Sequence, residues 1–403
     1  MKPPGAPRMR WRLWLLAAGL LPMLGQCDGA WAKYCSAVNG HNCEAALPPP
    51  GGKSDMQVFA EKHASSPSQD EGTAAQPPAL AVEKPKVRLP GYHSGDVLNA
   101  CWKPEQLIGT GAERRIVSDR IEPSNRQPLM SSPVAELPAL PASLHGSIRG
   151  VDTGGKKIIA LTFDFCEKLD EITGYDGNII DYLRSRAIPA TLFLGGKWMK
   201  DHHDRTLQLI ADPLFQLGNH GWTHGNLRVM HGQAAGDQIE FTQTEYESLR
   251  GELMQKSCIK GTNPETVPKE MTAFRFPFGV CDTQSLEMAN SLGLAAIQWD
   301  VVSGDPARLQ TAGYIARTVL NHVKPGSIVV MHGNGRGWHT AAALAQLIPE
   351  LQKRGYSFVS VDKLLKSGKP IVEDSCYELK PGDNARYDRL FGNGTGDPSA
   401  TLR

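Results

Sequence analysis

The sequence predicts an α/β fold: a closed or nearly closed barrel of about seven parallel strands joined by helices, behind a mostly irregular N-terminal extension. Three observations carry this. From Gly146 onwards, short apolar runs rich in β-forming residues alternate with amphipathic helical stretches, which is the pattern of repeated βαβ units. About seven such units follow one another in roughly 220 residues, which suits a barrel better than a doubly wound sheet. The polar residues that interrupt the pattern stand where the apolar runs stop, as they would if they shared one rim.

In chain order, the first run is 158–163, ending at Asp164, followed by a helix with Ile179, Ile180, Tyr182 and Leu183 on one face. The second run, 189–194, precedes a helix around 206–211, and the third, 213–217, leads into Gly218 and His220. A long polar helix is expected over 233–255. The fourth run, 273–276, is followed by a helix over 283–292, and the fifth, 295–299, by one over 311–322. The sixth, 327–331, precedes a helix over 339–352; the seventh, 357–361, precedes a short helix.

The flanks have another character. Lys2, Arg8, Arg10 and Arg12 precede an apolar stretch, 13–24, that is short for a membrane span. Ala30-Trp31-Ala32 fits a cleavage site, so 1–32 reads as a signal peptide and the mature chain as starting at Lys33, in the periplasm or outside the cell. A lipidated Cys27 is the competing reading, and the bulky Gln26 before it argues against that. No later stretch is apolar for long enough to be a transmembrane helix. Residues 33–147 read as a proline-rich, partly disordered N-terminal extension: 33–90 has a composition that buries little apolar surface, whereas 91–116, with Cys101-Trp102, has enough apolar residues to pack on the domain. Residues 148–370 are the expected catalytic domain, and 371–403 a polar, glycine-rich tail expected to lie extended along the surface. The net charge of +1 gives no reason to expect nucleic acid or an acidic membrane as partner.

Past the cleavage site seven of the eight cysteines remain. In an oxidising compartment they are expected to pair. Cys35 with Cys43 is the shortest loop, Cys258 with Cys281 would clip a long insertion, and an odd count leaves one over, with Cys166 the candidate.

His220 and His224, four apart, put two imidazoles on one side of a single turn. Two histidines and a carboxylate make a three-ligand site with one open position, in which a divalent metal lowers the pKa of a bound water. A free carboxylate nearby can take that water's proton, and an arginine beside it keeps it ionised. A histidine on the opposite wall can protonate a leaving amine or alkoxide. The strand ends offer these groups: Asp164 with Cys166 and Glu167, then His220 and His224, Arg275, Trp299 with Asp300 and Asp305, and His332 with Asn334. Each has an ordinary reading when taken singly. Asp164 could be a helix N-cap, Arg275 an ion-pair partner, Trp222 and Trp299 core. His202, His203, His231 and His339 fit no such pattern and read as surface residues.

Leu161-Thr162-Phe163-Asp164, His220-Gly221-Trp222-Thr223-His224, Arg275-Phe276-Pro277-Phe278-Gly279, the run from Trp299 to Asp305, and Val329-Val330-Met331-His332 together resemble the ordered motifs of the polysaccharide deacetylases, the family that includes nodulation-type chitooligosaccharide deacetylases. The likeness covers about residues 148–365. It implies an irregular (β/α) barrel and removal of N- or O-acetyl groups from chitin-like, peptidoglycan or xylan glycans. It also implies a divalent metal, zinc first, with cobalt or nickel as alternatives. By the same resemblance Asp164 is the general base, His220 and His224 are metal ligands, Arg275 holds Asp164, His332 is the general acid and Asp305 tunes it. Hydrolysis of a small-molecule amide, or glycan binding without catalysis, are the other functions such a fold could serve. The family places a second aspartate, a metal ligand, directly after the base, whereas this chain has Phe165. Cys166, Glu167 or Asp176 could fill the place, water could complete a weak site, or the metal could be lost. The Gly-Pro that usually follows the aspartates is also missing, and Val302 and Pro306 stand where the family often has Asp and Trp.

Overall fold

The computed structural model describes residues 96–118, 128 and 135–395. The expected signal peptide, Cys27 and the expected Cys35–Cys43 pair lie outside these. Among the described residues the strands are β1 (Val117–Ser118), β2 (Ser147–Asp152), β3 (Ile158–Phe165), β4 (Glu171–Ile172), β5 (Ala190–Leu194), β6 (Phe215–Asn219), β7 (Ala273–Phe274), β8 (Ala295–Ile297), β9 (Val301–Val302), β10 (Ile328–His332), β11 (Ser357–Phe358) and β12 (Lys369–Glu373). The helices are α1 (Val97–Cys101), α2 (Pro104–Leu107), α3 (Gly177–Ser185), α4 (Gly196–Asp201), α5 (His203–Ile210), α6 (Gly232–Gln255), α7 (Thr283–Ser291), α8 (Ala312–His322), α9 (Thr340–Lys353), α10 (Val361–Leu365) and α11 (Arg386–Phe391). None of them is long and apolar enough to cross a membrane.

The main sheet runs β12-β2-β8-β7-β6-β5-β3-β10-β9, with β11 added at the start of β3. Every ladder from β2 round to β10 is parallel, and only the edge strand β12 runs antiparallel, against β2. The sheet curls until its ends almost meet. The Val151 amide of β2 donates to the Gly326 carbonyl, just ahead of β10, at 3.0 Å, and Gly150 bridges Ser327. The distorted parallel barrel expected from the sequence is therefore what forms, with β2, β8, β7, β6, β5, β3 and β10 as its staves.

One stave differs from expectation. The run 357–361 supplies only the two-residue β11 and then turns into α10 at Val361. The missing stave is β2, whose sequence Ser-Ile-Arg-Gly-Val-Asp has no apolar run to announce it. Its Arg149 is buried all the same, because the guanidinium donates to the carbonyls of Tyr377 and Glu378 at 2.7 and 2.8 Å.

Alternation along each strand sorts the side chains into two layers. On β3, Ile159, Leu161, Phe163 and Phe165 face the helices and share one apolar core with Ile180, Leu249 and Leu347. Ala160 faces the barrel interior, in a second cluster with Phe193, Ala273, Ile297 and Val330. β10 repeats the arrangement, with Val329 and Met331 outward and Ile328 and Val330 inward.

The segments flanking the barrel are sewn to it. Val97, Leu98 and Leu107 join the outer core, and Cys101 is disulfide-bonded to Cys258 beyond α6. Cys281 is bonded to Cys376, so the expected Cys258–Cys281 pair is corrected: both partners lie far off in sequence. The tail is not extended as expected either. It folds back as α11, with Tyr387 and Glu378 buried and hydrogen-bonded to each other. His202 is not a surface residue, since its ring lies 4.6 Å from that of Trp198 and its Nε2 bonds the Thr173 carbonyl at 2.8 Å.

The Cys101–Cys258 bond closes 157 residues, so the chain-entropy argument makes it a strong constraint on the unfolded state. Cys101→Ser is expected to lower stability by about 2–5 kcal/mol, read as a fall in denaturation midpoint under non-reducing conditions, with Cys281–Cys376 intact. An unchanged midpoint would contradict this role.

Candidate active site

The inward parity of the strands continues past their apolar segments and sets the site. Asp164 stands two residues after Thr162 and four after inward-facing Ala160 on β3. His332 stands two after Val330 on β10, and Arg275 two after Ala273 on β7. Each is therefore an ionisable residue that the inward parity delivers to the C-terminal rim.

Arg275 is fully buried. Its Nη1 donates to Asp164 Oδ1 at 2.8 Å and to Thr162 Oγ1 at 2.7 Å, its Nε to the Ile297 carbonyl at 3.2 Å, and its Nη2 to the Gln298 carbonyl at 3.3 Å. The Phe193 ring lies 4.0 Å from the guanidinium carbon. Burial alone would raise the Asp164 pKa, but the charges of Arg275, His220 and His332 and the Arg275 hydrogen bond outweigh it and hold the carboxyl below its ordinary value. Asp164 is thus an ionised acceptor with Oδ2 free of the arginine.

His220 follows β6. Its Nδ1 lies 2.8 Å from the Arg275 carbonyl, which can only accept, so the proton is on Nδ1 and the Nε2 lone pair faces Asp164 Oδ2 at 3.7 Å. His224 sits in a left-handed turn at φ 58°, with its ring 5.1 Å from that of His220 and 4.2 Å from Phe278. Burial lowers the pKa of both imidazoles, His224 the further, so both rest neutral, the form that binds cations.

His332 is built for the opposite state. Its Nδ1 donates to Asp305 Oδ1 at 3.0 Å and its backbone amide to Oδ2 at 2.7 Å. Ser303 and Thr340 hydroxyls hold the same carboxylate at 3.0 and 2.6 Å. Burial by itself would lower the His332 pKa, but the Asp305 charge and hydrogen bond overcome it and hold the imidazole above its ordinary value.

Phe165 is on the outward parity, fully buried, with its ring 4.8 Å from that of Trp198. A Cβ on Gly333 would meet that ring at 2.2 Å, so the residue after His332 has to be glycine while Phe165 is there. Of the expected substitutes for the family's second aspartate, two are engaged elsewhere. Glu167 pairs with Lys197 at 2.9 Å and accepts from the Thr173 amide at 2.7 Å. Asp176 caps α3 through the Asn178 amide and pairs with Arg114 at 2.9 Å. Cys166 carries no disulfide, and burial pushes its thiol up to about 12. Among the described residues, ligand atoms of Cys166, His220 and His224 lie within 4.8 Å of one another, and this donor set fits a divalent cation.

These groups surround a cavity of about 80 Å³ whose walls include Phe278, Trp299, Pro306, Arg336 and, from the tail, Glu378 and Phe391. Phe391 stacks on Phe278 at 4.6 Å. Asp300 is not among the lining residues; it accepts from Ser327 Oγ and the Ile328 amide at 2.9 Å and ties β8 to β10. Sequence reasoning missed Thr162, Ser303 and Thr340 as partners, and the tail as a wall. Thr162 and Ser303 each lay within a quoted motif, whereas Thr340 and the tail carried no signal.

Residues 151–297 match the family model described as polysaccharide deacetylase. A peptidoglycan-N-acetylglucosamine deacetylase from Bacillus cereus is 30% identical over 217 residues, covering 52% of this chain and 89% of that protein. A chitooligosaccharide deacetylase from a Bradyrhizobium species is 26% identical over 230 residues, covering 53% of this chain and 93% of that protein. Among solved structures, a pseudoenzyme of carbohydrate esterase family 4 from Bacillus anthracis is similar at a TM-score of 0.45 and 23% identity, covering 56% of this chain and 70% of the other.

The Arg275–Asp164 pair is buried, so removing the guanidinium strands a carboxylate. Arg275→Met is expected to destabilise the protein by about 3–5 kcal/mol at neutral pH. The sign with pH follows from the depressed Asp164 pKa: the pair's contribution is present above the unfolded pKa and is lost as pH falls through the folded one. Denaturant titrations should therefore show the gap between wild type and variant closing below the ordinary carboxylate range; a gap that widens there would contradict the pairing.

Proposed function

We propose that this chain, which belongs to the polysaccharide deacetylase family, is an exported, metal-dependent hydrolase that removes acetyl groups from an N-acetylated glycan of the chitin or peptidoglycan kind, O-acetylated glycan being open to the same chemistry. What supports this above all is the convergence on one cavity of an ionised Asp164, two neutral imidazoles and a His332 backed by Asp305. The paired cysteines suit an oxidising compartment, and the N-terminal pattern of basic and apolar residues suits export.

His220 and His224 would hold the cation. When bound, it supplies Lewis acidity, lowering the pKa of water and polarising the acetyl carbonyl. The chain's own residues do the proton work. Asp164, kept ionised and oriented by Arg275, takes a proton from the attacking water. The water oxygen bonds to the carbonyl carbon, the carbon–nitrogen bond breaks, and protonated His332 gives its Nε2 proton to the leaving nitrogen. Acetate and a free amine result. Asp305 holds His332 by Nδ1, which leaves Nε2 directed away from it. Trp299 and Phe278 line the cavity and give it apolar, aromatic walls. Phe165 in the position of the family's metal-binding aspartate favours a second reading, a glycan-binding protein without catalysis.

Acetate release from acetylated chitooligosaccharide or peptidoglycan decides between these. Activity should be lost with chelator, restored by zinc, and reduced by about 100-fold or more in Asp164→Asn and His332→Ala. Full activity in either variant would remove that residue's role, and no release from the zinc-loaded protein would favour the non-catalytic reading.

A pH profile tests the acid. The proposed reaction needs His332 protonated, so activity falls as pH rises through its pKa. In Asp305→Asn the raising influence is gone, and the alkaline limb should move to lower pH. A limb that stays in place would exclude His332 as its source.

A further inference from the structure

We propose that Cys166 is the third protein ligand of the metal, so that one thiolate and two imidazoles hold the cation. This rests on the reading of the site as a metal centre and supplies the ligand that Phe165 took away. Strand geometry gives the first reason. Position 165 lies on the outward parity of β3, where its ring is locked between Trp198 and Gly333. Position 166 is two beyond Asp164 and returns to the cavity side, where Cys166 is one of the lining residues. A chain that has lost its carboxylate at 165 thus gains a sulfur at the next position that faces inward.

Proximity gives the second. The sulfur and one nitrogen from each of His220 and His224 lie within 4.8 Å of one another. His220 is held with its Nδ1 proton on the Arg275 carbonyl, so Nε2 is available as a ligand. The rival carboxylates are committed to Lys197 and Thr173, and to Arg114 and the start of α3.

The third reason lies behind the sulfur. Asn334 is buried, and its Oδ1 accepts from the Arg336 amide at 3.3 Å. That fixes the amide orientation and turns Nδ2 to Cys166, donating to the carbonyl oxygen at 2.7 Å and to Sγ at 3.1 Å. An N–H aimed at a sulfur is the outer partner a metal-bound thiolate takes. On binding, the thiol proton leaves to solvent as the sulfur takes the cation. One anion and two neutral imidazoles then face the metal, the same charge as with the aspartate, and an open position remains. The softer donor shifts preference towards zinc and cobalt and away from magnesium and manganese. It also makes the site sensitive to oxidants, which a carboxylate site is not.

Cobalt reports its ligands by colour. The full mature chain, stripped of metal and titrated with cobalt(II), should take up one equivalent and develop a sulfur-to-cobalt charge-transfer band in the near ultraviolet. Cys166→Ser should lose that band and bind zinc more weakly by more than the roughly 10–100-fold that loss of an outer partner costs. Cys166→Asp, which restores a carboxylate, should bind cobalt without the band and serves if the serine variant fails to fold. Asn334→Ala should keep the band but move it. Stoichiometric cobalt in the native chain without the band would overturn the thiolate ligand and leave the metal centre standing. A folded native chain that takes up neither cobalt nor zinc would overturn both.

Discussion

A guanidinium fully buried at the rim of a barrel must find an acceptor for nearly every N–H it brings, because a buried donor left unpaired is costly. Arg275 finds them in Thr162 and Asp164 of β3 and in the Ile297 and Gln298 carbonyls at the C-terminal end of β8. These bonds fix how far β3, β7 and β8 stand apart at their C-terminal rim, and the Arg275 carbonyl orients His220 as well. One residue thereby sets the ionisation of the carboxylate and the tautomer of the imidazole. The same carboxylate serves as counter-ion for the fold and as acceptor for the site. When it takes a proton, the arginine still has Thr162 and two carbonyls, so the interior keeps its partners through a change of charge at the rim.

Opposite wall, opposite electrostatics. His220 and His224 are made neutral by burial, while His332, also largely enclosed, is kept above its ordinary value by Asp305. The difference lies in one carboxylate and the hydroxyls that hold it. Residues alike in type are given unlike duties by what stands behind them, and for His332 that support comes from Ser303 after β9 and Thr340 at the start of α9.

Much of this was legible in the sequence for a simple reason. A strand with a buried interior shows as an apolar run, and a site at strand ends shows as the polar residues where the runs stop. Asp164, His220, Arg275 and His332 were found that way. β2 was not, because Arg149 and Gly150 break its apolar character and its arginine is satisfied by carbonyls of the tail, more than two hundred residues on. The disulfides were not legible either, since the chain that closes each is far longer than any local loop. Thr340 could not be recognised as a partner of Asp305 before the start of α9 was placed beside the segment that follows β9. At the third-ligand position, alternation is easy to state, but where β3 ends, and so which of 165 and 166 turns inward, is a matter of tertiary packing.

The tail carries a consequence for the order in which the pocket is made. Every stave of the barrel lies before residue 333, whereas Glu378 and Phe391, which wall the cavity, follow all of them. The Cys281–Cys376 bond and the stacking of Phe391 on Phe278 bring that wall home. The staves alone therefore leave one flank of the cavity uncovered, and the ring of Phe278, against which His224 rests, gains its stacking partner only when α11 docks.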